Sequence, residues 1–253
     1  MKKFLTFILA FPITCVIGLY VAAALNNTSG LAPFLITSGS LTIITVLAIS
    51  FVVTAFILGL ISGDYSWVDR EWSTVPVLYA WIYTAKSGFD KLCLIAAILI
   101  SLWGLRLSYN FARKGGYTSS EDYRWKILKK RINNTFLWQC FHLFFISGYQ
   151  NFLFVLFTAP LYVLQQNTGL GLNPSYLIIS LSFIGFLFLE SKADEEQWRF
   201  QEQKRSFPNN THPAYNDDIQ RGFYTGGLFK YSRHPAYFGE IMIWWCVYFL
   251  AIS

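Results

Sequence analysis

Long apolar runs dominate this chain, and their length leaves few folds open. They lie at residues 4–25, 40–61, about 74–86, 90–108, 136–165, 175–191 and 235–252. A helix needs about 20 apolar residues to pass a hydrocarbon core. Inside lipid the backbone has no water to bond, so it must satisfy its own donors and acceptors. The runs therefore predict about seven membrane-spanning helices in an all-α, multi-pass transmembrane bundle. The third run is short, and the fifth has room for a bend near Gly148 to Asn151. Composition agrees, since 54% of the 253 residues are hydrophobic, 19% aromatic and only 13% charged, which excludes an ordinary soluble domain. The first run resembles a secretory signal in its leading Lys pair and Ala-rich end, but its length predicts a retained anchor.

Lysine and arginine set the expected orientation, because positive loops stay cytoplasmic. The loop 109–134 holds Arg113, Lys114, Arg124, Lys126, Lys129, Lys130 and Arg131, and the segment 192–234 holds Lys192, Arg199, Lys204, Arg205, Arg221, Lys230 and Arg233. The connections 26–39 and 166–174 hold neither residue type. Seven crossings then place the N-terminus and both basic loops in the cytoplasm. The net charge of +6 follows from this topology and calls for no nucleic-acid partner. Cys15, Cys93, Cys140 and Cys246 fall inside apolar runs without paired spacing, so they predict neither a metal site nor disulfides.

Four stretches carry chemistry. Pro235 suits the first turn of a helix and drives His234 out of helical geometry. A helix starting there brings its free N–H groups beside Arg233 and His234, an arrangement suited to phosphate and also to an interfacial flank. A second stretch, Glu190 to Arg205, has no Gly or Pro, so the sixth helix should run on beyond the membrane. On it Glu190, Asp194, Gln197, Gln201 and Arg205 share one face. Glu190 directly follows apolar residues, where a carboxylate needs a partner or a wet cavity. Third, Arg106, Tyr109, Asn110 and Arg113 recur at helical spacing before a Gly115–Gly116 stop, a face that could meet a dinucleotide or snorkel to headgroups. Fourth, the acidic, aromatic loop Gly63 to Trp72 offers Tyr65 and Asp69, either as reactive groups or as interfacial anchor and cap.

Taken in order, these stretches resemble one family. Asp69-x-x-Trp72, Leu102-Trp-Gly-Leu-Arg-Leu107, Asp122-Tyr-Arg-Trp125, Glu190-Ser-x-Ala-Asp194 with Gln197-Trp-x-Phe-Gln201, and Gly227-Leu-Phe-x-Tyr-Ser-Arg-His-Pro-x-Tyr-Phe-Gly-Glu240 resemble the steroid 5-alpha-reductase-like membrane proteins, in their bacterial and lower-eukaryotic branch. The likeness covers about 60–253. It implies N-terminal transmembrane helices over 1–60 and a reductase-like region over 61–253. The implied activity is NADPH-dependent reduction of a carbon–carbon double bond in a steroid or isoprenoid-type lipid. The implied cofactor residues are Arg106, Tyr123, Arg124, Glu190, Asp194, Tyr231, Arg233 and His234. Tyr237, Glu240, Asp69 and Tyr65 are the candidate proton donors, and no metal is implied.

Two departures accompany the likeness. The better-known steroid reductases carry a Glu on an early crossing, and the second crossing here has no carboxylate. Relatives also continue past the last apolar helix into a further segment and a Tyr-containing tail, so a weakened cofactor site or a non-catalytic family member stays open as an expectation. The Arg-His-Pro-x-Tyr element is similar as well to isoprenylcysteine and phospholipid methyltransferases, which leaves an S-adenosylmethionine enzyme as an alternative.

Overall fold

The computed structural model describes residues 2–118, 121–207 and 213–253, without the side chains of Lys2, Tyr123 and Pro213. Among these residues there are helices and turns and no strands, so the chain is an all-α bundle. Among the described residues six helices are long and apolar enough to cross a membrane: Lys3–Leu25, Ser40–Ser62, Lys91–Arg113, Thr135–Gln166, Pro174–Ser206 and Pro235–Ile252. They make this an integral, multi-pass membrane protein. Two compact units divide the chain, Met1–Gly171 and Leu172–Ser253.

In the first unit α1 (Lys2–Leu25) packs along α3 (Ser40–Ser62). The connection between them holds a short helix, α2 (Leu31–Thr37), which no apolar periodicity announced. Gly63 closes α3 with φ +65°, a left-handed conformation that glycine adopts without penalty. Next come α4 (Trp67–Glu71), α5 (Val75–Lys86) and α6 (Lys91–Arg113). The third apolar run thus forms only a 12-residue helix, and it is not among the six long ones. Just before its start Ser73 Oγ accepts from Ser108 Oγ, near the end of α6. Near its finish Lys86 donates to the Leu35 and Ile36 carbonyls, and Asp90 accepts from the Gly169 N–H. Tyr79, Ala80 and Tyr83 are fully buried because α5 is walled by α6 and by the helices Gln150–Thr158 and Pro160–Gln166. A helix lined by protein can be shorter than one that must shield itself from lipid.

The glycine pair does stop α6, at Arg113, and Gly115 turns the chain with φ +78°. Asp122 caps α7 (Tyr123–Ile132) by accepting from the Arg124 N–H at 2.8 Å. The long fifth run is α8 (Thr135–Phe141), a π-helical stretch His142–Tyr149, α9 (Gln150–Thr158) and α10 (Pro160–Gln166). The expected irregularity is therefore a π-helix, a conformation that often marks function. Phe141, Phe145 and Tyr149 stack in a ladder at 4.9 and 5.4 Å, with Phe145 and Tyr149 exposed, while Ser147 and Asn151 are buried. His142 lies against bare Gly59 of α3, where a Cβ would stand 2.5 Å from its ring.

The second unit is a helical hairpin. α11 (Pro174–Ser206) has 33 residues, about 50 Å, so it outruns a hydrocarbon core of about 30 Å as the unbroken polar stretch predicted. Short α12 (Asn216–Arg221) follows, then α13 (Pro235–Ile252), which starts at Pro235 as expected. The hairpin is antiparallel, since Asn173 donates to the Ser253 carbonyl and Gly239 meets Glu190. A Cβ at Gly239 would stand 3.0 Å from Glu190 Cβ and 3.3 Å from the Phe186 carbonyl, so the helices touch there only because no side chain intervenes. Gly239→Val should cost about 1–3 kcal/mol, read as a lowered Tm in detergent. An unchanged Tm would show that the contact is not close.

Candidate functional site

The turn after α3 is organised around one carboxylate. Asp64 accepts from the Ser66 N–H at 3.1 Å, and its Oδ2 pairs with Lys3 at 2.7 Å and Arg70 at 3.0 Å. Arg70 is 1% exposed, donates to the Ser66 carbonyl and lies over the Trp67 ring at 4.6 Å. Burial pushes the Asp64 carboxyl up, but Lys3, the Ser66 N–H and Arg70 outweigh it and hold the pKa below the ordinary value. Neighbouring Tyr65 is buried, with its N–H on Glu121, its hydroxyl accepting from Lys129 at 3.1 Å and its ring edge-on to Trp138 and His142. Burial raises this hydroxyl, and Lys129 with its other partners brings it below the usual tyrosine range. Asp69, the expected acid of this loop, is half-buried. Burial raises its pKa, the Ser66 hydroxyl lowers it and the nearby Asp122 raises it, with a net upward shift.

A group not singled out in the sequence lies two residues on. Glu71 is 5% exposed, and its Oε2 accepts from Asn151 Nδ2 at 3.0 Å. Burial pushes its carboxyl up to about 8, against the Asn151 bond and with help from Asp69. Trp72 beside it donates to Gln150 at 2.6 Å, so two adjacent residues of α9 orient the end of α4. Glu71 faces a cleft with Phe7, Phe11, Thr14, Phe51, Thr54 and Trp67, whose open volume of about 10 Å³ suits one water. Thr14 and Thr54 share a hydrogen bond of 3.0 Å across α1 and α3. Among the described residues the Tyr79 hydroxyl, Ser147 hydroxyl and Asn151 Oδ1 are buried without a partner. The signal available beforehand was an acidic residue inside the Asp69-x-x-Trp72 motif, at its second open position.

The α6 face is partly committed to itself. Arg113 donates to buried Asn110 at 2.9 Å and lies over the exposed Tyr109 ring, while Arg106 is half-buried. Arg124 grips Asp122 through two hydrogen bonds of 3.0 and 2.8 Å. Burial raises the Asp122 carboxyl, and Arg124 overcomes this and lowers it. The side chain of Tyr123 lies outside the described residues.

In the second unit Glu190 is 4% exposed, set against Gly239, and Asp194 is half-buried one turn later. Glu196, not anticipated, accepts from the Leu228 N–H at 2.8 Å. Its carboxylate occupies the place a Cβ at Gly227 would take, at 2.4 Å, and Gly227 has φ +52°, so glycine is required there. The turn leads into α13, where Tyr231 (84% exposed), Arg233, His234 and Tyr237 (67% exposed) stand open. The His234 and Tyr237 rings are 5.6 Å apart, and His234 precedes the helix without a side-chain cap. Glu240 instead lies along the helix and accepts from Trp244 at 2.9 Å. The open face therefore offers a cation, an imidazole and the N–H groups of the first turn, which fit an anionic cofactor. Among the described residues no three His, Cys, Asp or Glu side chains converge as metal ligands.

The family described as "Protein of unknown function (DUF1295)" matches residues 55–253. An uncharacterized protein of Schizosaccharomyces pombe is 30% identical over 218 residues, 78% of this chain and 63% of that relative. The chain thus spans somewhat under two thirds of that relative's length. No solved structure matches.

Proposed function

We propose that this chain, which belongs to the DUF1295 family of proteins of unknown function, is a membrane-embedded reductase of lipid carbon–carbon double bonds that uses NADPH. Its substrate class is a steroid or isoprenoid-type lipid whose double bond is conjugated to a carbonyl. The observation that carries the reading is Glu71: a carboxyl buried among aromatic side chains and shifted to about 8 is an uncharged acid at neutral pH. Such an acid can donate a hydrogen bond to a lipid carbonyl and hold a proton for the reduced product. Methyl transfer to a nucleophilic acceptor has no use for a donor of this kind. Because the cleft holds about one water, lipid entry would displace α1 from α3 at the Thr14–Thr54 pair.

The open face of α13 fits the cofactor. Arg233 and His234 would neutralise its phosphates together with the first-turn N–H groups, and Tyr231 and Tyr237 would flank it. When bound, NADPH supplies the hydride. Glu190 and Asp194 would orient polar parts of the same ligand from α11. By the positive-inside rule the ends bearing Lys3, the 109–134 loop and the 192–234 segment are cytoplasmic, the side from which NADPH is available.

The test is NADPH titration of the detergent-purified chain, followed by turnover with an enone lipid and detection of the saturated product. Arg233→Ala should weaken NADPH binding about ten-fold or more without loss of membrane insertion. Equal affinity would remove the role given to Arg233, and saturable S-adenosylmethionine binding in place of NADPH would move the protein to methyl transfer.

A further inference from the structure

Helix α7 (Tyr123–Ile132) of the first unit has two unlike faces. At 3.6 residues per turn, Lys126, Lys130, Ile127 and Arg131 fall in that order within an arc of about 140°. All four are exposed. The opposite face bears Leu128, Ile132 and buried Trp125. Beside it Lys129 reaches inward and donates to the Tyr65 hydroxyl at 3.1 Å, so this side of the helix is docked on the Gly63 to Trp72 turn. The carboxylates at the helix start are engaged, Glu121 by the Tyr65 N–H and Asp122 by Arg124. Among the described residues Lys126, Lys130 and Arg131 enter no ion pair. Depth decides what these cations meet. Only Asn133 and Asn134 separate α7 from α8, which opens the membrane-spanning stretch Thr135–Gln166. Ile132 and Thr135 are thus at most about 11 Å apart. The headgroup layer is roughly 5–8 Å thick on each side of a bilayer, and Lys and Arg reach into it on long apolar stems. Phe136 (74% exposed) and Leu137, the first apolar residues of the span, stand open to lipid at this end.

We infer that the outer face of α7 is a binding site for the headgroup of an anionic phospholipid. Lys126, Lys130 and Arg131 take the phosphate oxygens, and Ile127 among them meets the glycerol and acyl boundary. A basic cluster directly beside a membrane span attracts acidic lipid, by about five-fold in binding for each cation. Charge that only sets topology can lie anywhere along a loop. Here three unpaired cations share one face of a helix whose other face is fixed, so they are already arranged for a single anionic group and lose little side-chain freedom in gripping it. The site does not depend on the reductase reading of the chain.

The test is equilibrium binding of short-chain phosphatidylglycerol, and separately of short-chain phosphatidylcholine, to the full chain in neutral detergent, with inorganic phosphate as competitor. Phosphatidylglycerol should bind at least about ten-fold more tightly than phosphatidylcholine, and inorganic phosphate should not displace it. Replacing Lys126, Lys130 and Arg131 together by Gln should erase about ten-fold or more of that affinity and leave the Tm in neutral detergent unchanged. Lys130→Gln alone should weaken binding several-fold and serves if the triple variant does not fold. A matched triple, Lys192→Gln with Lys204→Gln and Lys230→Gln, removes the same charge from the second unit and should keep the affinity. Equal loss in the two triple variants would reduce the effect to diffuse loop charge and overturn the site. Equal binding of the two lipids would overturn it as well, and displacement by inorganic phosphate would make it a site for soluble anions instead.

Discussion

A Glu71→Gln protein binds NADPH as its parent does and turns over lipid at least about 100-fold more slowly. General acids contribute roughly 10²–10⁴ in rate, and glutamine keeps the volume and the Asn151 contact while removing the transferable proton. The same substitution has a second readout that needs no substrate. The Glu71 pKa is raised from 4.5 to about 8 by burial, so the folded protein holds this proton more tightly than the unfolded chain. The stabilisation is complete below about pH 4.5 and is lost as pH rises through about 8. One pKa unit is worth about 1.4 kcal/mol, so the span is on the order of several kcal/mol as an upper bound. Parental Tm should therefore fall between those pH values where the Gln variant stays flatter. Superimposed pH profiles would show that Glu71 is not held neutral, and full turnover by the variant would remove it from the chemistry.

Asp64→Ala should be the most damaging single change to stability, at about 3–5 kcal/mol. It removes the carboxylate that neutralises Arg70, which is 1% exposed and cannot reach water to recover its hydration. Lys3 shares that carboxylate but is one-third exposed, so Lys3→Ala should cost under about 1 kcal/mol. Adding Arg70→Met to Asp64→Ala should restore much of the loss, because no uncompensated charge then remains buried. Thermal unfolding of the four proteins in one detergent decides the matter. A double variant no more stable than Asp64→Ala would mean that the carboxylate acts through the turn and not through Arg70.

How far the chain could be read beforehand differs by element. Run length and local chemistry sufficed for the helices: Pro235 starts α13, Gly115 follows the end of α6, and an uninterrupted polar stretch carries α11 to Ser206. The rule there is backbone hydrogen bonding in a medium without water, which depends on the segment alone. The placing of Arg233 and His234 at an open helix start is local in the same way. Side-chain burial in the Gly63 to Trp72 loop was not legible, because successive residues of a helix turn by about 100°. Asp69, Arg70 and Glu71 carry equivalent signals in sequence, yet Asp69 is half-buried, Arg70 sits on Asp64 and Glu71 faces the cleft beside Thr14.

Sequence by itself determined the class, a multi-pass helical membrane protein, and the ends of most long helices, since these follow from apolar length, caps and breakers. Only the tertiary structure decided that the third run is a short, protein-walled helix, that the fifth contains a π-helix, and that Glu196 and not a neighbouring acid supports Gly227. It also decided which acid is buried. The cost of burying a charge is set by partners distant in the chain, as Asn151 is from Glu71 and Lys3 is from Asp64, and no local pattern specifies which helices will meet.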